Sequence, residues 1–482
     1  MNKSKFTIFV SLLLFLPFFI TISEGIRVKQ NYSLVKSFFS PNITQADSDQ
    51  KEAKLLLELK RYQETIDLPI PKLVLSKFLN KKRLAEIRNG LNLTIKSLPA
   101  SRDILGFEGV RKYLIVFQNP AEARGTGGII GGFAVIKVQN GHFQVANVGA
   151  NTDLKSLSKL PIEMPNDYKI IYGDDPAIWQ NSNYSPDFPS GARIWLALWR
   201  NQTGENLDGV FAVDPFVLKE GLKVIGPLRL SDGSLISSTN VIQELLSNLY
   251  LKYGNNYIER KRILVEVVQL SLNKLLQPDA DYRGLAIHFL NPLNANRVLF
   301  YSNHNQVQKI IEKTKLGGSL NWNDKNQIKV VIQNTSGNKL DYYLKRSIII
   351  ERLQCGSKPR ARVKVTLVNT VSAQALLPNY VKGRLDLNRP SGKNNSHGVT
   401  VFVYGPNGAQ YLLSGKSTGN NFNARIGKER NRPLFVTKLE LIPEVSNSFF
   451  VDFSSRNGKL STYVQPLVID QSTRIFNNCP NG

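Results

Sequence analysis

The densest run of residues capable of chemistry is Gln118-Asn-Pro-Ala-Glu-Ala-Arg-Gly-Thr-Gly-Gly-Ile-Ile-Gly-Gly132. Five glycines in the eight residues from Gly125 to Gly132 let the backbone approach a ligand closely. Successive N–H groups around Gly125, Gly127 and Gly128 can form an anion-binding nest, and Arg124 beside them can clamp a phosphate or carboxylate bidentately. The run is neither a Walker loop, lacking Gly-Lys-Ser/Thr, nor a dinucleotide fingerprint, because a strand and not a helix follows it. The same residues fit close strand packing around a tight bend, with Arg124 paired to Glu122 or another carboxylate. Asp187 stands in Asn183-Tyr-Ser-Pro-Asp-Phe-Pro-Ser190 ahead of a helix, and Asp208 and Asp214 flank a buried strand. Each is a candidate ligand group, and Asp187 and Asp214 equally suit helix capping. Glu259-Arg-Lys-Arg262 opens a long helix. There Arg260 or Arg262 could turn into a cleft and meet pyrophosphate, or Arg262 could pair with Glu259 and Glu266 at three- and four-residue spacing.

No serine, cysteine or histidine arrangement pairs a nucleophile with a base, and the four histidines lie too far apart in sequence for a zinc motif. Hydrolases of those kinds are disfavoured. Cys355 and Cys479 are the two cysteines; an exported chain could pair them, and two unpaired thiols fit equally.

These residues need elements to position them. Tyr113–Phe117 is a short apolar run typical of a buried strand, and Phe133–Val138 is another. Asn140-Gly141 marks a tight turn from which Phe143–Val148 returns as a hairpin partner. Ala192–Trp199 and Pro215–Val224 read as helices around the strand Val210–Val213. Asn240, with Gln243 in capping-box register, starts another helix. Tyr257–Leu276 is the longest amphipathic helix, with Ile263, Val267 and Leu270 on one stripe. From about Trp322 short strands recur without helices: Ile328–Ile332, Ser347–Ile350, Val363–Val368, Val399–Tyr404, Val436–Leu441 and Phe449–Phe453. The fold class is therefore an α/β (α+β) core, a mixed sheet covered by helices, followed by an all-β sandwich.

The start of the chain addresses a destination. Lys3 and Lys5 precede an unbroken apolar run from Phe6 to Ile22, the pattern of a signal peptide or a membrane anchor. Ser23-Glu24-Gly25 offers a cleavage site, while Arg27 and Lys29 follow closely. The chain is thus expected on the extracytoplasmic face of the membrane, anchored or, if cleaved, exported. The expected layout is a leader over 1–25, a tether and helical stalk over 26–97, the α/β core over 98–320 and the sandwich over 321–482. Sixty-two basic residues against thirty-seven acidic ones give a net charge of +25, which favours anionic partners: phosphates, acidic glycans or lipid headgroups. Nucleic acid is not expected across a membrane, and no motif of that class is present.

Four ordered motifs carry a resemblance: RKYLIVFQNPAEARGTGGIIGGFAVIKVQNGHF, NYSPDFPSGARIWLALW, NLDGVFAVDPFVLKEGLKVIGPL and VVIQNTSGNKLDYYL. Together they resemble domain-of-unknown-function family 4012, a group of bacterial membrane-anchored exported proteins with no established reaction. The stretch LDGVFAVDPFVLKEGLKVIGPLRL, then ERKRILVEVVQLSLNKLL, is also similar to the central layout of LytR-CpsA-Psr proteins. That likeness implies transfer of glycans from polyprenyl pyrophosphate onto the envelope, with arginines and magnesium holding the pyrophosphate. Arg124 falls where a first-strand arginine would stand, Arg260 or Arg262 near the helix arginines, and Asp153 in the loop that would bear a Pro-Arg-Asp. Here Gly125-Thr-Gly127 replaces Arg-x-Asp-Thr, Asn151-Thr152-Asp153 lacks the arginine, and the helix reads Arg-x-Arg. The expectation is a binder of polyprenyl-pyrophosphate-linked or other anionic envelope glycan, with transfer as the implied reaction. The competing expectation is a non-enzymatic envelope scaffold or adhesion protein.

Overall fold

The structure is a computed structural model that describes residues 57, 60 and 100–477, except 255, 276–280, 321–324, 388–394 and 419–423. The expected leader and stalk lie outside the described residues, apart from Leu57 and Lys60, which are helical. Among the described residues no helix is long and apolar enough to cross a membrane.

The core sheet has the order β3-β2-β1-β4-β7, with β1 Arg111–Arg124, β2 Gly127–Gln139, β3 His142–Ala150, β4 Gly209–Val213 and β7 Val298–Ser302. β1 pairs antiparallel with β2 and parallel with β4, so the sheet is mixed as expected. The short hairpin β5 (Leu228–Arg229) and β6 (Leu235–Ile236) stands apart. Asn140 (φ 48°) and Gly141 (φ 71°) turn β2 into β3, the left-handed pair that a two-residue hairpin requires. The continuous apolar text of β1 and β4 follows from cover on both faces. On one face Leu114, Val116, Val210 and Ala212 pack against Trp195 and Trp199 of α2 (Phe188–Thr203). α1 (Asn166–Tyr172) precedes α2.

The opposite face lies under α3 (Pro215–Ile225), a run of short helices including α4 (Val241–Gln243) and α5 (Leu249–Tyr253), the long α6 (Tyr257–Leu275) and α7 (Tyr282–Asn294). α8 (Asn305–Ile311) follows β7. Asn240 does not form the capping box: its Oδ1 accepts from Ser237 N and Ser237 Oγ, which draws the side chain back into the preceding turn. Residues Glu244–Asn248 are π-helical, a widening that apolar periodicity does not reveal.

The sandwich pairs the sheet β12-β15-β10-β9-β17 with the sheet β13-β14-β11-β8-β16. Its strands are β8 Gln327–Asn334, β9 Leu344–Gln354, β10 Arg360–Asn369, β11 His397–Tyr404, β12 Tyr411–Thr418, β13 Ala424–Glu429, β14 Arg432–Leu441, β15 Ser446–Ser454, β16 Ser461–Tyr463 and β17 Ser472–Phe476. The expected strands all form. The sequence reading missed β12, β13, β16 and β17, which lie at sheet edges where one-sided burial weakens the apolar signal. Between β10 and β11 lies the short α9 (Asn379–Lys382).

The two halves share a core. Val331, Phe402, Tyr404, Leu434 and Val436 join the cluster built around α2. At that junction Glu429 is fully enclosed. Its Oε1 accepts from Ser185 Oγ (2.6 Å), and its Oε2 from Tyr404 Oη (2.7 Å) and Tyr172 Oη (3.0 Å). Burial pushes its pKa up to about 7, although the hydroxyl donors pull the other way. The folded state therefore holds a proton that the unfolded chain releases, and the Glu429 contribution falls as pH rises between its unfolded value and about 7. The loss is on the order of 3 kcal/mol. Lys329, pushed down to about 7 by burial, acts in the window above, where stability rises with pH. Urea denaturation between pH 5 and 7 should show stability declining, and Glu429→Gln should flatten that slope.

Candidate functional site: an apolar cavity between sheet and helices

The glycine-rich run is not a loop but the tip of the β1–β2 hairpin, driven between the two halves of the molecule. Arg124 pairs with Gly127 across the turn. Its Nε donates to Gln180 O (3.0 Å), Nη1 to Asn334 O (2.9 Å) and Ala123 O (2.9 Å), and Nη2 to Asn181 Oδ1 (2.9 Å). Tyr184 covers the guanidinium at 4.9 Å. Arg124 is thus buried against carbonyls, not paired to Glu122, and a ligand would have to displace those acceptors. Gln465 Nε2 donates to Arg124 O (2.7 Å) and Ala123 N to Asp341 Oδ2 (2.8 Å), tying the tip to the sandwich. The glycines serve close approach: a Cβ on Gly125 would overlap the Tyr184 carbonyl, and one on Gly128 the Asn119 carbonyl. Gly127 has φ 146° and lies against the Gln118 side chain.

The carboxylates are also engaged. Asp187 is fully buried, accepting from Ser190 Oγ (2.7 Å) and Leu320 N (2.9 Å) and pairing with Arg430 (2.9 Å). Asp214 caps α3 through Phe216 N (2.9 Å) and pairs with Arg297 (2.5 Å). Asp208 accepts from Lys112 N (2.7 Å) and meets His304 Nε2 (2.8 Å). Asp153 accepts from Ala150 N (2.9 Å) and from Lys261 Nζ. Burial alone would raise the Asp153 pKa, but Lys261 and the Ala150 N–H outweigh it and hold the carboxyl below its ordinary value. These residues do not converge. Among the described residues no three His, Cys, Asp or Glu side chains are arranged to hold a metal ion.

What the fold does build is a cavity of about 290 Å³ between the core sheet and α3, α5 and α6. Tyr113, Ile115 and Phe117 reach it from alternate positions of β1, facing Leu264 and Val268 of α6. Three small positions keep room: Gly131 and Gly132 on β2 and Gly221 on α3. α6 is tethered at both ends. Lys261 binds Asp153 beside β3, and Lys274 Nζ donates to Pro227 O (2.7 Å).

Behind Tyr250 and Asn119, which line the cavity, lies a polar and cationic rim of Arg260, Lys339 and Tyr380, which touch Tyr250 without lining the cavity themselves. Asn119 Nδ2 donates to Tyr250 Oη (3.2 Å), and both residues line the cavity. Tyr250 stacks on Tyr380, with centroids 5.9 Å apart and planes at 7°. Arg260 lies 3.9 Å from the Tyr380 centroid and 5.5 Å from that of Tyr250. Lys339 Nζ lies 4.0 Å from the Tyr250 centroid and pairs with Glu122. Burial would lower the Lys339 pKa, but the Glu122 carboxylate outweighs it and raises the pKa, so the ammonium stays charged. Burial raises the Tyr250 pKa, and Lys339 opposes it. Arg260 donates to Gly254 O and, among the described residues, has no carboxylate within ion-pair distance. Arg262, two residues on, points to solvent and binds Glu259 (2.6 Å), Glu266 (2.9 Å) and Ser231 Oγ (2.7 Å). The helix therefore separates the two candidates: Arg260 turns inward, Arg262 outward.

Residues 108–250 match the family model described as Protein of unknown function (DUF4012). That span carries β1 to β4, the hairpin tip, α3 and Tyr250, so most of the cavity wall lies inside it. No curated protein and no solved structure matches the chain. Lys339, Tyr380 and the cavity itself escaped the sequence reading. Paired small residues on neighbouring strands, Gly131-Gly132 and Gly149-Ala150, were the available signal.

Proposed function

We propose that this protein binds a polyprenyl-phosphate-linked envelope glycan at the extracytoplasmic face of a bacterial membrane. The isoprenoid chain occupies the cavity, and the phosphate meets Arg260 at the rim. The carrying observation is the cavity: an apolar chamber whose wall residue Tyr250 lies against a buried arginine that, among the described residues, has no carboxylate partner suits an apolar chain with an anionic head. The LytR-CpsA-Psr likeness and the net charge of +25 support the same ligand class. Cys355 is disulfide-bonded, which suits an oxidising, extracytoplasmic compartment. Binding, not turnover, is the activity this geometry supports. The scaffold reading draws support from Arg124, Asp187 and Asp214, which all serve the protein's own packing.

The test is direct titration of purified full-length protein with a polyprenyl phosphate and with the matching polyprenol. Both should bind. Arg260→Ala should weaken the phosphate roughly 10- to 100-fold, the value of a charge-assisted bond, and leave the alcohol unchanged. Absence of binding by the wild type to either compound sinks the proposal and leaves the scaffold reading.

A further inference from the structure

The rim opens onto a surface with an unusual mixture of side chains. Tyr257 and Ile258, in the first turn of α6, are 58% and 65% exposed; Leu376 is 97% exposed, and Leu251 and Tyr380 also protrude. They belong to two segments that meet. A Cβ on Gly254 would lie 4.0 Å from Pro378, and Arg260 stacks on Tyr380. Lys339 N donates to Val381 O (3.0 Å), holding α9 against the rim. Of the basic residues over 249–262 and 371–384, Lys261, Arg262 and Arg384 are paired with carboxylates and Arg260 is buried, which leaves Lys252 and Lys382 as the cations of this surface.

We propose that this surface docks on an anionic bilayer, with Tyr257, Ile258 and Leu376 entering the headgroup layer and Lys252 and Lys382 meeting lipid phosphates. The proposal rests on the cavity reading for its purpose, since docking here brings the rim to the lipid that fills the chamber. Its physical ground is separate. The apolar side chains are tips on two separate segments, Tyr257 and Ile258 on α6 and Leu376 ahead of α9. Aromatic and aliphatic tips flanked by Lys252 and Lys382 match the polarity gradient of a membrane interface, where apolar groups sink and long basic side chains reach phosphate. Continuity adds to this: Tyr250 lines the cavity and stacks on Tyr380 at the surface, so one aromatic pair joins chamber and patch.

The experiment uses the full-length protein in vesicles, with an environment-sensitive nitrobenzoxadiazole label at Ile258→Cys. The same label at Ile170→Cys, on the exposed side of α1, is the control. Cys355 is disulfide-bonded and does not take the label. Local depth is read at each label, so tethering of the chain elsewhere does not decide the result. In vesicles containing phosphatidylglycerol the label at 258 should shift to the blue and be quenched by doxyl lipids, while the label at 170 should not. Lys252→Glu with Lys382→Glu should reduce the quenching severalfold. The proposal is overturned if the 258 label stays water-like, if both labels respond alike, or if pure phosphatidylcholine vesicles give the same quenching. Titration of detergent-solubilised protein with polyprenyl phosphate reports on the cavity independently, so failure of the surface and failure of the chamber are told apart.

Discussion

Gly128→Ala should prevent accumulation of folded protein, or lower Tm by roughly 10 °C or more. The reason lies in one approach of backbone to backbone. A methyl on Gly128 would overlap both the oxygen and the carbon of the Asn119 carbonyl, and neither can rotate away. Asn119 sits where the β1–β2 register shifts, with Ala123 paired to Gly128 beyond it. Moving either strand would shift Arg124 from Asn334 O and Gln180 O, leaving buried carbonyls and a guanidinium without partners. Overpacking of this kind, coupled to lost buried hydrogen bonds, costs upward of about 4 kcal/mol. Gly427→Ala is the control, since its Cβ would meet nothing within 4 Å. Thermal denaturation of both variants checks the contrast; equal Tm values would mean that the hairpin tip is not the wedge described above.

Gly221→Leu should abolish prenyl-chain binding while keeping or raising Tm. Gly221 lies inside α3 and lines the cavity, and its Cβ would meet only Phe289, at 3.9 Å. Replacing a mid-helix glycine with leucine favours the helix by about 0.5–1 kcal/mol and inserts apolar volume where the ligand would lie. Loss of binding from a destabilised protein is uninformative, but loss from a protein at least as stable isolates occupancy of the chamber. The paired measurements are a polyprenol titration and a melting curve. Unchanged affinity at unchanged Tm would place the ligand elsewhere.

The rim responds differently from the chamber. Arg260→Ala acts on the phosphate and spares the alcohol, whereas Gly221→Leu acts on both. This difference separates charge recognition from apolar volume within one ligand.

Much of the scaffold was legible. Tyr113–Phe117 reads as a buried strand because both faces of β1 are covered, and that cover leaves a continuous apolar run. Ile263 and Val267 recur at helical spacing because α6 buries one stripe. The edge strands β13 and β17 were not legible, since mostly exposed side chains carry no apolar pattern.

The site was legible only as a set of candidates. Arg124 beside five glycines has the composition of an anion nest. Its acceptors, Gln180 O and Asn334 O, lie 56 and 210 residues away, so no local pattern could reveal that the guanidinium is already spent. Sequence alone determined most of the buried strands, the longer amphipathic helices, the cationic balance and the short list of arginines, because periodicity and composition are local quantities. Tertiary structure decided which arginine faces the rim: at 3.6 residues per turn, Arg260 and Arg262 point in nearly opposite directions, and only the docking of α6 on the sheet says which of them is inside. It also decided the chamber, since an empty volume belongs to no residue and arises from the spacing of the core sheet and α6, which Lys261 tethers at one end and Lys274 at the other.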